Sequence, residues 1–179
     1  MKNIFIILLI IISKNLFSQT SETRYDTCSA LQQYQGEWRY ENGNDTIRIY
    51  LRFYRNYSQN FDLISDDLIG WHEYKKGNVI IESNYQYRFM QLPYNYDGDS
   101  LQNNLFSILM GLGGCNTAAN KLWGSITDYN QNKENHNIIA TLNSGGTIMN
   151  WKQEHREGWG YLTGSTGMTL PKQFTLIKQ

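Results

Sequence analysis

This chain has little of what usually announces a function. Its 179 residues include two cysteines, two prolines and three histidines, and sixteen basic side chains balance sixteen acidic ones. A balanced charge excludes the basic stripe with which nucleic-acid binders displace counterions, and argues against docking on anionic lipid. Enzyme signatures are missing too. There is no Gly-x-Ser-x-Gly elbow, no phosphate loop and no paired Cys/His metal spacing. The histidines are scattered, and His136 stands in an Asn-rich run that reads as a solvated turn. Glu154-His155-Arg156-Glu157 gathers acid and base groups, but strand neighbours point to opposite faces, so it reads as a charged hairpin end. Asp97-Gly98-Asp99-Ser100 lacks the distal Glu of a calcium loop and reads as a turn. The expectation is therefore no catalytic residue, no metal and no cofactor.

Long apolar runs are equally scarce. One exists, Ile4 to Ile12, with Lys2 before it and Leu16-Phe17-Ser18-Gln19 after it. A charged start, a short apolar core and a small-residue site make a secretory signal peptide. The run falls well short of the roughly twenty apolar residues that span a bilayer. The expected organisation is a signal over residues 1–18 and one domain over 19–179. The product would be periplasmic or secreted, with no integral membrane span. Losing Lys2 and Lys14 leaves that domain slightly acidic.

Two cysteines in an oxidising compartment read most simply as one disulfide, Cys28 to Cys115. It closes a loop of about ninety residues, worth about 4–5 kcal/mol in the chain-entropy model. The competing reading is two unrelated buried thiols.

What the chain has is aromatic side chains: thirteen Tyr, five Trp and seven Phe. These suit a pleated, half-buried surface. Between Thr46 and Tyr54, Ile47, Ile49, Leu51 and Phe53 alternate with Arg48, Tyr50 and Arg52, so the first set should be buried and the arginines exposed. Tyr34, Gly36, Trp38 and Tyr40 alternate likewise, and Asn42-Gly43 signals a hairpin to the next strand. Further strands are expected at Leu68–Tyr74, Val79–Ser83, Tyr85–Phe89, Leu122–Thr127, Ile138–Leu142, Thr147–Lys152 and Phe174–Lys178. One segment has helical spacing. Leu101, Leu105, Ile108, Leu109 and Leu112 predict a short amphipathic helix from Ser100 to Leu112.

Gly36-Glu37-Trp38, opening the first strand, resembles the lipocalin-like (calycin) barrels. The resemblance implies that Trp38 crosses the closed end of a barrel beneath a late basic side chain, Arg156 or Lys178. Gly36 and Trp38 would then be structural. Thr127-Asp128-Tyr129 is similar to the Thr-Asp-Tyr turn of that group, although the chain ends in a strand where lipocalins place a helix. The layout also resembles an uncharacterised family of short exported bacterial proteins, through Leu68-x-Gly70-x-x-x-Tyr74 and the ending Leu170-Pro171 to Lys178-Gln179. That resemblance implies no function.

The resulting expectation is all-β: a single antiparallel barrel or strongly curved sheet of roughly eight to ten strands with one short helix. It would bind a small apolar or amphipathic molecule inside. Trp71, Tyr87, Trp123 and Trp151 are the aromatic candidates for the contact, each weighed against simple core filling. The alternatives are a filled barrel acting as a structural or protein-binding module, and an aromatic sheet that stacks on carbohydrate. A hydrolase with a scattered site comes last.

Overall fold

The computed structural model describes residues 22–58, 62–92, 106–112, 120–130, 134–153 and 168–179. Ten strands follow one another: β1 (Glu22–Arg24), β2 (Gly36–Asn42), β3 (Asp45–Ser58), β4 (Leu63–Lys76), β5 (Val79–Ser83), β6 (Ile108–Gly111), β7 (Lys121–Asp128), β8 (Glu134–Leu142), β9 (Ile148–Gln153) and β10 (Gln173–Lys178). Single 3-10 turns at Leu31–Tyr34 and Tyr85–Tyr87 are the helical elements among the described residues.

Antiparallel pairing runs β2–β3–β4–β6–β7–β8–β9–β10, and β10 returns to β2. Eight strands thus close a barrel. Closure removes the exposed edges that an open sheet must protect. The alternation seen in sequence sets the inner face. Ile47, Ile49 and Leu51 of β3 are buried, and their partners across β4 are Tyr74, His72 and Gly70. Inward residues from all eight barrel strands join one apolar cluster that includes Trp38, Leu122, Ala140, Trp151 and Leu176, with Ile81 of β5 packed against it.

One edge of β4 serves three partners in turn. It pairs with β1 in parallel at Leu63–Ser65, with β6 at Leu68–Gly70 and with β5 at Glu73–Lys76. Strands β5 and β6 are therefore two pieces of one wall position, and the chain leaves the wall between them. Part of that excursion covers the outside of the barrel, where Ile69, Trp71 and Phe106 form a second small core with Tyr50, Tyr54, Leu92 and Leu109.

The wall bends most closely where β6 meets β7. A Cβ on Gly124 would lie 2.1 Å from the Leu109 carbonyl oxygen, so no other residue fits there. Gly36 is required for a different reason. Its φ of +113° turns the chain out of the Leu31–Tyr34 turn and into β2.

Three expectations are corrected. Residues 108–111 are strand, not helix: Ile108 and Met110 point inward and Leu109 outward, paired on both sides. Barrel closure overrides the helical spacing of these leucines; Ser100 to Leu105 lie outside the described residues. Tyr85–Tyr87 is a 3-10 turn, not a strand, because the chain departs from the wall at that point. Arg48 and Arg52 are half-buried, not exposed. Arg52 donates to the carbonyl of Met90 at 3.0 Å and stacks 4.9 Å from the Trp71 ring, under the excursion that covers the outer wall. The buried faces of Ile47, Ile49 and Leu51 are as expected, while Phe53 is half-buried.

Candidate functional site

The barrel's two ends differ in chemistry. At the end where β2 begins and β10 stops, the Leu31–Tyr34 turn lies under the strands, with Leu31, Tyr34 and Trp38 fully buried. The Trp38 indole donates to the Tyr34 carbonyl at 2.7 Å. Lys178 Nζ donates to the Gln33 carbonyl at 2.8 Å and sits 5.2 Å from the Trp38 ring centroid. Asp26 fastens this turn by accepting from the amides of Ala30 at 3.0 Å and Leu31 at 2.8 Å. Its own amide donates to Asp66, which Arg55 grips through two hydrogen bonds of 2.7 and 2.9 Å. This end is sealed.

The opposite end, where β7 and β9 stop and β6, β8 and β10 begin, is polar inside. His72 is fully buried on the inner face of β4. Its Nδ1 lies 2.7 Å from Ser107 Oγ and its Nε2 lies 2.8 Å from Glu82 Oε1. Tyr129 stacks on the imidazole with ring centroids 6.1 Å apart, and its amide donates to Glu82 Oε1 at 2.9 Å. Burial pushes the Tyr129 phenol up to about 12, so it stays a phenol and accepts from Asn84 Nδ2 at 3.2 Å.

Ser107, His72 and Glu82 are linked in the order of a hydrolytic relay, but their surroundings explain them as structure. His72 N donates to Asn84 Oδ1 at 2.9 Å, and Ser107 N donates to the Gly70 carbonyl at 2.9 Å. The side chain of Asn84 and the backbone amide of Ser107 thus fill the break in the ladder between β5 and β6. Ser107 is only 3% exposed, which leaves its hydroxyl no open face for a substrate.

A second inward group lies on β8 and β9. His136 is 3% exposed and Trp151 fully buried. Gln153 Nε2 lies 3.0 Å from His136 Nδ1. Three atoms of this group are buried without a hydrogen-bond partner: His136 Nε2, Gln153 Oε1 and Trp151 Nε1. Most buried polar atoms in folded proteins are satisfied, so a cluster of three calls for a ligand or an ordered water. Nearby, Asp128 accepts from Thr169 Oγ1 at 2.9 Å and from the Asn130 amide at 3.0 Å, tying the end of β7 to the approach of β10.

Outside the wall, a groove of about 660 Å³ runs beside β5, lined by Arg48, Glu73, Ile80, Glu82, Tyr85 and Arg88. Arg48 is held by Glu37 at 2.8 Å and Glu73 at 3.6 Å, and the Tyr85 ring lies between the guanidinium groups of Arg48 and Arg88 at 4.3 and 4.4 Å. Burial pushes the Tyr85 phenol up to about 12.

The sequence candidates separate in space. Trp151 alone among them points into the barrel. Trp71 is buried on the outer wall beneath Phe106, Tyr87 is 43% exposed, and Trp123 is half-buried outside with Lys121 Nζ 4.9 Å from its ring. Trp38 and Gly36 form the sealed end, and the basic partner of Trp38 is Lys178. Arg156, His155, Trp159 and the Asp97–Ser100 turn lie outside the described residues. So does Cys115; among the described residues there is no free cysteine. His136 corrects its expectation. Strand β8 starts at Glu134, so the alternation of Ile138, Ala140 and Leu142 extends back to His136 and turns it inward. The same alternation in Met149, Trp151 and Gln153 signals Gln153, which sequence reasoning missed. His72, Glu82 and Ser107 were not recognised as a group because strand pairing brings them together.

Among the described residues no helix is long and apolar enough to cross a membrane, and no three His, Cys, Asp or Glu side chains are placed to hold a metal. The architecture defines the class: a closed, eight-stranded antiparallel barrel with one sealed and one polar end. By sequence the chain belongs to DUF6705, a family of unknown function, whose match covers residues 1–179. No curated protein and no solved structure matches it.

Proposed function

We propose that this chain is an exported, lipocalin-like binding protein that takes a small amphipathic molecule into the polar end of its barrel. The observation that carries the reading is the set of unpartnered, inward-facing atoms on His136, Gln153 and Trp151. Below them on the same inner face lie Ile138, Ala140, Met149 and Phe174, an apolar wall for the ligand's body. The resemblance to lipocalin-like barrels is supported by the position of Lys178 over Trp38 at the sealed end. Export is supported by the charged, apolar start of the chain. A Cys28–Cys115 bridge accompanies it, supported by the lack of a free cysteine among the described residues.

A filled barrel serving as a structural or protein-binding module is the second reading. It is favoured by the single apolar cluster that inward side chains build from Trp38 to Trp151. Mass spectrometry of the exported protein separates the two. Denaturing spectra should show a start near Gln19 and a mass two hydrogens below the reduced chain. Native spectra should show a bound small molecule. An intact Met1 or two reactive thiols would refute export or the bridge. A ligand-free native mass, together with no binding of added amphiphiles, would favour the filled barrel.

A further inference from the structure

We propose that the outer wall, where β4, β6 and β7 lie side by side, binds a neutral oligosaccharide, with one sugar ring seated over Gly111 between Trp123 and Asp67. This site is separate from the barrel interior and does not rest on the binding reading above.

Gly111 is the barrel-strand glycine that the fold does not require. Gly36 has a positive φ, and a Cβ on Gly70 or Gly124 would strike neighbouring atoms at 2.7 and 2.1 Å. Among the described residues, a Cβ on Gly111 would meet only Asp67 Oδ1, at 3.4 Å, which is ordinary contact. A strand glycine weakens its strand and often marks a bulge, a bend or the close approach of another backbone or a ligand. Pairing with β7 stays in register through Gly111, and no described backbone outside its own chain neighbours comes near. A ligand is the explanation that remains.

The surroundings give that ligand's chemistry. Leu68 pairs with Met110, so Asp67 stands opposite Gly111, and Gly111 pairs with Trp123. All three face outward, because Leu68, Met110 and Leu122 face the inner cluster. Asp67 and Trp123 are thus two strand spacings apart, about 10 Å, with no side chain between them. Two hollows of about 700 and 550 Å³ share Arg24, Asp67 and Gly111, one running toward β1 and the other toward β8. Trp123, Ser125 and Asn137 line the second. Asp67 Oδ2 accepts from Ser65 Oγ at 2.7 Å, while Oδ1 is the atom beside the notch. The other carboxylates of the first hollow are engaged, Asp26 by the amides of Ala30 and Leu31, and Asp66 by Arg55.

An indole presents a flat apolar surface. A pyranose matches it, with apolar C–H faces and a rim of hydroxyls that both donate and accept. Asp67 accepts from that rim, Arg24 donates to it, and Ser125 and Asn137 can do either. Charged ligands match less well. An organic ammonium would meet Arg24 and also Lys121, whose Nζ already lies 4.9 Å from the Trp123 ring. An anion would meet the Asp67 carboxylate. Hollows on both sides of the notch suit a chain of sugars more than a single one.

The test is isothermal titration of the exported protein with cellohexaose, maltohexaose and chitohexaose, with tetramethylammonium as the charged control. At least one hexasaccharide should bind with a Kd of about 1 mM or tighter, and tetramethylammonium about tenfold or more weakly. Gly111→Val fills the notch without deleting a polar group. It should weaken that binding about tenfold or more while its melting temperature stays within about 4 °C of the unaltered protein. Trp123→Ala should weaken binding to a similar extent, and if it fails to fold, Gly111→Val decides alone. No binding of any hexasaccharide at about 10 mM would overturn the proposal and leave the barrel reading untouched. So would binding that either folded variant leaves unchanged. Tetramethylammonium binding as tightly as the sugar would reassign the notch to cations. A large drop in the melting temperature of Gly111→Val would show that the fold requires the glycine, and the site would lose its basis.

Discussion

Trp38 and Trp151 are both fully buried inside the same barrel, yet they are not equivalent. At the sealed end the Trp38 indole nitrogen donates to the Tyr34 carbonyl, its ring lies under Lys178, and the turn beneath it is capped by Asp26. At the polar end the Trp151 ring stacks on Phe174 at 5.9 Å, but its nitrogen has no partner, and neither do His136 Nε2 and Gln153 Oε1. One end has its indole N–H answered from within the chain, although the buried Tyr34 hydroxyl of the same end has no partner. The other keeps a buried indole N–H that the chain does not answer, and most buried polar atoms in folded proteins are answered.

The largest expected effect lies at the sealed end. Trp38→Ala empties a fully buried aromatic site, which typically costs about 3–5 kcal/mol. Against a total stability of about 5–15 kcal/mol, the variant should melt far lower or fail to accumulate. Replacement by Phe sharpens the contrast, because both variants lose the same ring volume and differ in whether the lost N–H had a partner. Trp38→Phe leaves the buried Tyr34 carbonyl without its donor and should cost about 1–3 kcal/mol beyond repacking. Trp151→Phe deletes a donor that has no partner, so in thermal melts it should cost the repacking alone. Equal losses from the two Phe variants would break the comparison.

Acid should loosen the sealed end first. Arg55 beside Asp66 holds that carboxyl below its ordinary value of 3.8. The stability it contributes is therefore complete above that value and is lost as pH falls through the lower folded one. Asp66 in turn receives the Asp26 amide, and Asp26 caps the turn that underlies Trp38. Asp66→Asn should cost about 1–2 kcal/mol at neutral pH, the scale of a charged hydrogen-bonded contact. In melts repeated down to about pH 2 the gap from the unaltered protein should close. A gap that stays constant across that range would mean the carboxylate charge is not what holds the turn.

Much of this contrast is present in the residue order, because a barrel wall is a period-2 object. The alternation of Ile47, Ile49 and Leu51 marks an inner face, and Gly36-x-Trp38 marks the sealed end. The polar end obeys the same rule, but its inward residues are polar. His136 is hidden in a run of asparagines, and Gln153 ends a strand that looks finished at Lys152. Four residues of β6 are too few for a pattern, and flanking leucines at helical spacing mask them. The links from His72 to Glu82 and Ser107 depend on how β4 shares its edge with β5 and β6, which is a property of pairing and not of any local segment.

The smallest effect is expected from Lys178, and it asks whether the sealed end is held by packing alone. Its ammonium donates to the Gln33 carbonyl and lies 5.2 Å from the Trp38 ring, while its Cε lies 3.5 Å from where a Cβ on Gly36 would stand. Lys178→Met keeps the aliphatic stem over the ring and removes only the charge and the hydrogen bond. A cation over an aromatic face contributes about 0.5–1 kcal/mol when partly exposed, and more when desolvated. The hydrogen bond adds a similar amount. The variant should therefore melt about 2–8 °C lower, given about 2–4 °C per kcal/mol in a domain of this size. Binding of an amphiphile at the polar end should be unaltered, since no residue of that end touches Lys178 among the contacts described. An unchanged melting temperature would show that Trp38 needs no cation. A changed affinity would show that the two ends are coupled, and the division between them would fail.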